Sequence, residues 1–120
     1  MKHLIFFTSY FLVFYSSLFS AELNLSHKEK EWIKQHPVVK ISNQNNWAPY
    51  DYNKNGVAFG YSVELIKKLA KIANIQVKFI NKQSWSELLD EFNKGNIDLM
   101  HTMAWSEQRG KKYLYSVPYM

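Results

Sequence analysis

Between Val38 and His101 the chain changes its hydrophobic period four times, and that alternation limits what it can fold into more than any other feature. Val38, Val39 and Ile41 make a β-branched run suited to a buried strand. Ile66, Leu69, Ala70 and Ala73 then recur at helical spacing, while Glu64, Lys67, Lys68 and Lys71 fall elsewhere on the circumference. Ile75, Val77 and Phe79 alternate with Gln76 and Lys78 as a second strand, Leu88, Leu89 and Phe92 give a second helical stripe, and Ile97 to His101 read as a third strand. Strand, helix, strand, helix, strand in a compact chain predicts an α/β fold, with a parallel sheet, right-handed crossovers and helices on its faces.

Local punctuation fits this order. Residues 22–37 form a lead-in helical segment, with Ser26 as N-cap, Trp32 and Ile33 as apolar spots, and Pro37 as the stop. Asn43 to Asn46 break the first strand, because their side chains compete for backbone hydrogen bonds, and the loop Trp47-Ala48-Pro49-Tyr50 follows. Asn55-Gly56 predicts a tight hairpin, Gly60 a sharp entry to the next element, and Ser62 the N-cap of the first long helix. Ser84 and Glu87 have capping-box spacing, Gly95 can close that helix in a left-handed conformation, and Ser106 can cap a brief turn. Tyr113 to Ser116 read as extended before Pro118.

Ahead of this block, Lys2 and His3 precede an apolar stretch from Leu4 to Phe19 that turns polar at Glu22. Residues 1–21 read as a secretory signal peptide cut after Ala21, which implies a periplasmic protein. The rival reading is an uncleaved membrane anchor, although a span needs about 20 apolar residues and this run is shorter and rich in hydroxyls. The sequence holds no cysteine, so a disulfide framework is excluded. Removing Lys2 leaves 14 basic and 10 acidic side chains, a net of +4 on scattered lysines. That is a solvated face, not the basic stripe nucleic acid binding requires.

Ligands of open α/β sheets bind beyond the carboxyl ends of the strands, which directs attention to Trp47–Tyr50, Ser84–Trp85 and Thr102–Arg109. Each loop offers an aromatic ring and the last adds a guanidinium, a combination suited to a small anionic or zwitterionic solute. Arginine's planar fork can make two parallel bonds to a carboxylate, and a ring can stack on an apolar stem or hold an ammonium. The plainer alternative is that Trp47, Tyr50, Trp85 and Trp105 are core or rim aromatics and Arg109 a surface residue beside Lys111 and Lys112.

A set of short motifs weighs on that choice: Trp47-Ala48-Pro49-Tyr50, Gly60-Tyr61-Ser62-Val63-Glu64-Leu65, Ser84-Trp85-Ser86-Glu87-Leu88, Gly95-Asn96-Ile97-Asp98-Leu99, Ser106-Glu107-Gln108-Arg109 and Tyr115-Ser116-Val117-Pro118-Tyr119. In this order and spacing, the run from Lys30 to Tyr119 resembles the N-terminal lobe of the family 3 periplasmic solute-binding proteins, the type II Venus-flytrap fold, with residues 38–120 as a partial solute-binding domain. The resemblance implies binding of an amino acid or small carboxylate without chemical change. It places Trp47 and Trp85 on either side of the solute, Arg109 on its carboxylate and Thr102 as the third-loop hydroxyl; Tyr50, in the same loop as Trp47, is expected to join this binding set. Ala104 and Trp105 depart from it, standing where such proteins often carry a hydroxyl donor, so one hydrogen bond is expected to be missing and Trp105 to crowd or extend the pocket.

The His36-Pro37 lead-in resembles the input domains of sensor kinases, and amino-acid transporter binding proteins stand close beside them. The implied partner is thus a sensor-kinase module or a membrane permease. The family's second lobe, which usually meets the ligand's ammonium, would lie beyond Met120, so the resemblance also implies a partial protein.

Other chemistry has less support. His27, His36 and His101 lack metal-binding spacing, no cofactor motif is present, and Asp90 and Glu91 are explained by a solvated pair with Lys94. No Gly-x-Ser-x-Gly elbow surrounds Ser84, Ser86 or Ser106. Two alternatives remain: the flytrap domain of a lytic transglycosylase or dehydratase-like enzyme whose catalytic part is absent, and an inactive truncated remnant.

Overall fold

A computed structural model describes residues 23–119; the expected signal peptide lies outside the described residues. Helix α1 (His27–Gln35) begins with a full capping box between Ser26 and Glu29 and has no buried residue. It is followed by β1 (Val38–Asn43), β2 (Asn46–Trp47), β3 (Asp51–Lys54), β4 (Val57–Phe59), α2 (Tyr61–Ala73), β5 (Gln76–Asn81), α3 (Trp85–Asn93) and the single turn α4 (Glu107–Gly110). None of these helices is long and apolar enough to cross a membrane.

β1 and β5 pair in parallel, Ile41 opposite Phe79, with α2 in the connection between them. β2, β3 and β4 form a small antiparallel sheet. Asn55 (φ 52°) and Gly56 (φ 82°) turn the β3–β4 hairpin with both central residues left-handed, the conformation Asn-Gly favours.

Four sequence expectations need correction. β1 runs on through Ser42 and Asn43, both fully buried, because the Asn43 side chain finds partners across the fold and does not compete with its own strand. Ile97 to His101 is not a strand. It meets β1 at one parallel bridge, Ile41 to Leu99, and beside it the Asp98 carboxylate accepts the Lys40 amide at 2.7 Å, standing where a ladder carbonyl would be.

Ser62 is not the N-cap of α2 but its second residue, fully buried. The N-cap is Gly60, and carbonyls of the preceding loop satisfy the first-turn amides: Pro49 accepts from Tyr61 at 2.9 Å and Tyr50 from Ser62 at 3.0 Å. Gly60 has φ 124°, and a Cβ there would lie 2.2 Å from the Tyr50 oxygen, so the close approach requires glycine. Leu69, finally, is half exposed. Residues advance about 100° around a helix, which puts Leu69 off the stripe through Val63 and Ala70 that is buried.

The apolar core lies under α3, where Leu88, Ile97 and Met100 are buried and Ile80, Trp85, Phe92 and Met103 pack around them. α3 starts at Ser84, whose hydroxyl accepts from the Glu87 amide at 3.2 Å, while Glu87 reaches back to the Gln83 amide at 3.1 Å, one residue earlier than a capping box requires. Gly95 (φ 78°) follows the helix. Lys94 meets Asp90 at 2.6 Å on the exposed face.

Candidate functional site

Three segments converge beyond the carboxyl ends of β1 and β5. The first leaves β1 at Asn43 and turns tightly from Trp47 to Tyr50, with the Tyr50 amide bonded to the Trp47 carbonyl at 2.9 Å and a cis peptide between Ala48 and Pro49. The second is the capped start of α3, which presents Trp85 as its first residue. The third runs from the Leu99 bridge through Thr102 to α4, whose Ser106 cap accepts from the Arg109 amide at 3.3 Å. Asn45 ties the first to the second by donating to the Gln83 carbonyl at 3.2 Å.

Together they enclose an open depression of about 360 Å³ lined by Gln44, Asn46, Trp47, Trp85, Thr102, Ala104 and Arg109. Trp47, Trp85, Thr102 and Arg109 are thus brought to one place. Tyr50 is not in the lining; its ring packs against Trp47, centroids 5.6 Å apart. Trp105 is also outside it, two-thirds exposed, with its indole nitrogen against Gly110, so it does not crowd the depression. Gln44 and Asn46 carry no signal of their own in the sequence, because an asparagine-rich break reads as a loop and the carboxyl-end rule directs attention to Trp47–Tyr50 just beyond it.

Arg109 is the one charged side chain in this lining. Its guanidinium sits 5.9 Å from the Trp85 ring centre and donates to the Ala104 carbonyl at 3.0 Å, which fixes its direction while leaving other N–H groups of the fork for a ligand. Tyr115 donates to the same carbonyl at 3.2 Å.

Behind the lining is a buried polar cluster that sequence patterning does not reveal. Asp51, fully buried, accepts from Asn43 Nδ2 at 2.6 Å on Oδ1, and from the Gln44 amide at 3.2 Å and Thr102 Oγ1 at 3.1 Å on Oδ2. Thr102 in turn accepts from Gln44 Nε2 at 3.1 Å, and Asn43 accepts from Asn53 at 2.8 Å. The His101 ring lies 3.3 Å from Asp51 Oδ2 without hydrogen-bond alignment and packs edge-on against Phe79. The Tyr119 hydroxyl donates to the His101 carbonyl. Burial pushes the Tyr119 phenol above its ordinary range, against the opposing pull of a hydrogen bond with Ser62. Among the described residues, no group of three or more His, Cys, Asp or Glu side chains is placed to hold a metal ion.

This arrangement matches known folds. The chain is similar to the VFT2 domain of BvgS from Bordetella pertussis (23% identity, TM-score 0.66), with 72% of this chain aligned to 36% of that one. An ancestral cationic amino acid solute-binding protein is 27% identical with a TM-score of 0.64, over 75% of this chain and 40% of that one. A histidine kinase sensor domain with similarity to periplasmic binding proteins is 28% identical with a TM-score of 0.59, over 65% and 34%. The chain therefore spans little more than a third of the length of these relatives, one lobe of a Venus-flytrap fold. The model of the bacterial extracellular solute-binding proteins, family 3, matches residues 39–120, and the chain belongs to that family.

Proposed function

We propose that this lobe captures a small carboxylate-bearing solute, an amino acid above all, in the periplasm and does not change it chemically. The observation that carries this reading is the convergence of Arg109, held over the Trp85 face, with Trp47, Thr102 and Gln44 in one open depression. A carboxylate pairs with the guanidinium fork, and the solute's stem or ammonium lies against the rings. The described lining has no carboxylate or imidazole to act as acid or base, which favours binding over catalysis even though one structural neighbour is described as a precursor of a dehydratase. A second lobe closing over the solute shifts an open–closed equilibrium that a sensor-kinase module or a membrane permease reads. Residues 1–21 direct export.

Isothermal calorimetry of the full chain against the L-amino acids and small carboxylates tests this. Saturable binding that falls about tenfold to a hundredfold in Arg109→Ala supports it, in line with the loss of a charge-assisted pair. Binding that ignores Arg109→Ala, or no heat from any solute with a folded chain, overturns it.

A further inference from the structure

We infer that Asp51 is a positioning residue that sets the hydrogen-bond direction of the solute-facing floor, so that Thr102 meets a solute as an acceptor and selects one bringing a donor, such as a primary ammonium. This rests on the solute-capture reading of the same depression.

A threonine hydroxyl has one proton to donate and two lone pairs to accept with. Thr102 gives its proton to Asp51 Oδ2 at 3.1 Å, inside a cluster where both side chains are almost wholly shielded from water. One lone pair takes the Gln44 Nε2 proton at 3.1 Å. What remains for a solute is the second lone pair, which repels a carboxylate oxygen and attracts an N–H. The relay runs from Gln44 through Thr102 to Asp51, and Asp51 gives it that direction because a carboxylate only accepts.

The carboxylate is itself held in place. Asn43 Nδ2 at 2.6 Å occupies Oδ1 and the Gln44 backbone amide at 3.2 Å shares Oδ2, so it cannot rotate without orphaning a buried donor. These contacts also bind the end of β1 to β3 and the third loop, so the residue that orients the hydroxyl fixes the loops that carry it. The lining thus carries two unlike groups: the Arg109 guanidinium, which takes an acceptor, and Thr102, which takes a donor.

The test has a ligand-free arm and a ligand arm. In NMR of the full chain at neutral pH, the Thr102 hydroxyl proton is expected to exchange slowly enough to be seen, and the Gln44 side-chain amide to shift in Asp51→Asn. A Thr102 hydroxyl exchanging like an exposed one, with Gln44 unmoved in Asp51→Asn, overturns the relay whether or not any solute binds. In the ligand arm, L-amino acids are each paired with the carboxylate lacking the α-amino group, such as L-glutamate with glutarate.

The preference for the amino acid is expected to fall about tenfold in Asp51→Asn while affinity for the des-amino carboxylate holds. An equal loss for both members of each pair reduces Asp51 to a structural buttress and overturns the specificity role. Should Asp51→Asn not fold, Thr102→Val and Thr102→Ser decide: the preference is lost in the first and kept in the second, and equal behaviour of the two overturns the proposal. A relay seen by NMR with no solute of the panel bound overturns solute capture, and the specificity role with it.

Discussion

The molecule has two interiors of opposite character. Under α3, Leu88, Ile97 and Met100 exclude water with no directional demand on one another. Around the end of β1, Asn43, Asp51 and Thr102 are as well buried but joined by hydrogen bonds whose donors and acceptors must match one for one. Apolar packing responds to volume, whereas a buried polar network responds to chemistry at constant volume, because an unmatched group pays its full desolvation. The first interior holds the framework, and the second decides how the loops around the depression are set.

Substitutions can break that contrast or sharpen it. The largest expected effect is Leu88→Ala, which leaves a cavity in the apolar cluster and costs about 2–5 kcal/mol in denaturant unfolding. Asp51→Asn, nearly isosteric, follows at roughly 2–3 kcal/mol, since the amide nitrogen it introduces would face donors where Oδ1 or Oδ2 of Asp51 now accepts. Leu88→Met changes shape more than Asp51→Asn does, yet is expected to cost less than about 1.5 kcal/mol. If the order of the last two reverses, the polar interior is no more demanding than the apolar one.

The smallest effect concerns α1. The Ser26 side chain, and then its backbone amide, hold the Glu29 carboxyl below its ordinary range. A lowered folded-state pKa means that the capping contribution is present above the usual glutamate range and is lost as pH falls through the lowered value. An NMR titration of Glu29, read with the Ser26 amide shift, checks both direction and range.

What the sequence makes legible is what short-range chemistry decides. Asn55-Gly56 forces its hairpin, Ser26, Ser84 and Ser106 each accept the backbone amide three residues on, and the carboxyl-end rule finds the loops bearing Trp47, Trp85 and Arg109. What it hides depends on partners far along the chain. Nothing near Asp51 signals burial, because its hydroxyl partner lies 51 residues away. Asn43 looks like a strand breaker until it is seen with Asp51, Tyr52 and Asn53. Ile97 to His101 has the composition of a strand, but Asp98 turns its side chain to Lys40 and the pairing stops at one bridge.

That single bridge has a consequence for motion. The third loop reaches β1 through Ser42 to Leu99 at 2.9 Å, Leu99 to Lys40 at 3.1 Å and Asp98 to Lys40 at 2.8 Å, whereas β5 grips the other edge of β1 along six residue pairs. The two edges of one strand therefore belong to units of unequal opening free energy, and the weaker carries Thr102 and leads to Arg109. Amide hydrogens of Ser42 and Leu99 are expected to report the breathing of that loop separately from global unfolding, and the proposed solute, bridging Arg109 to Trp47, would slow their exchange by stapling the loosest edge to the rest.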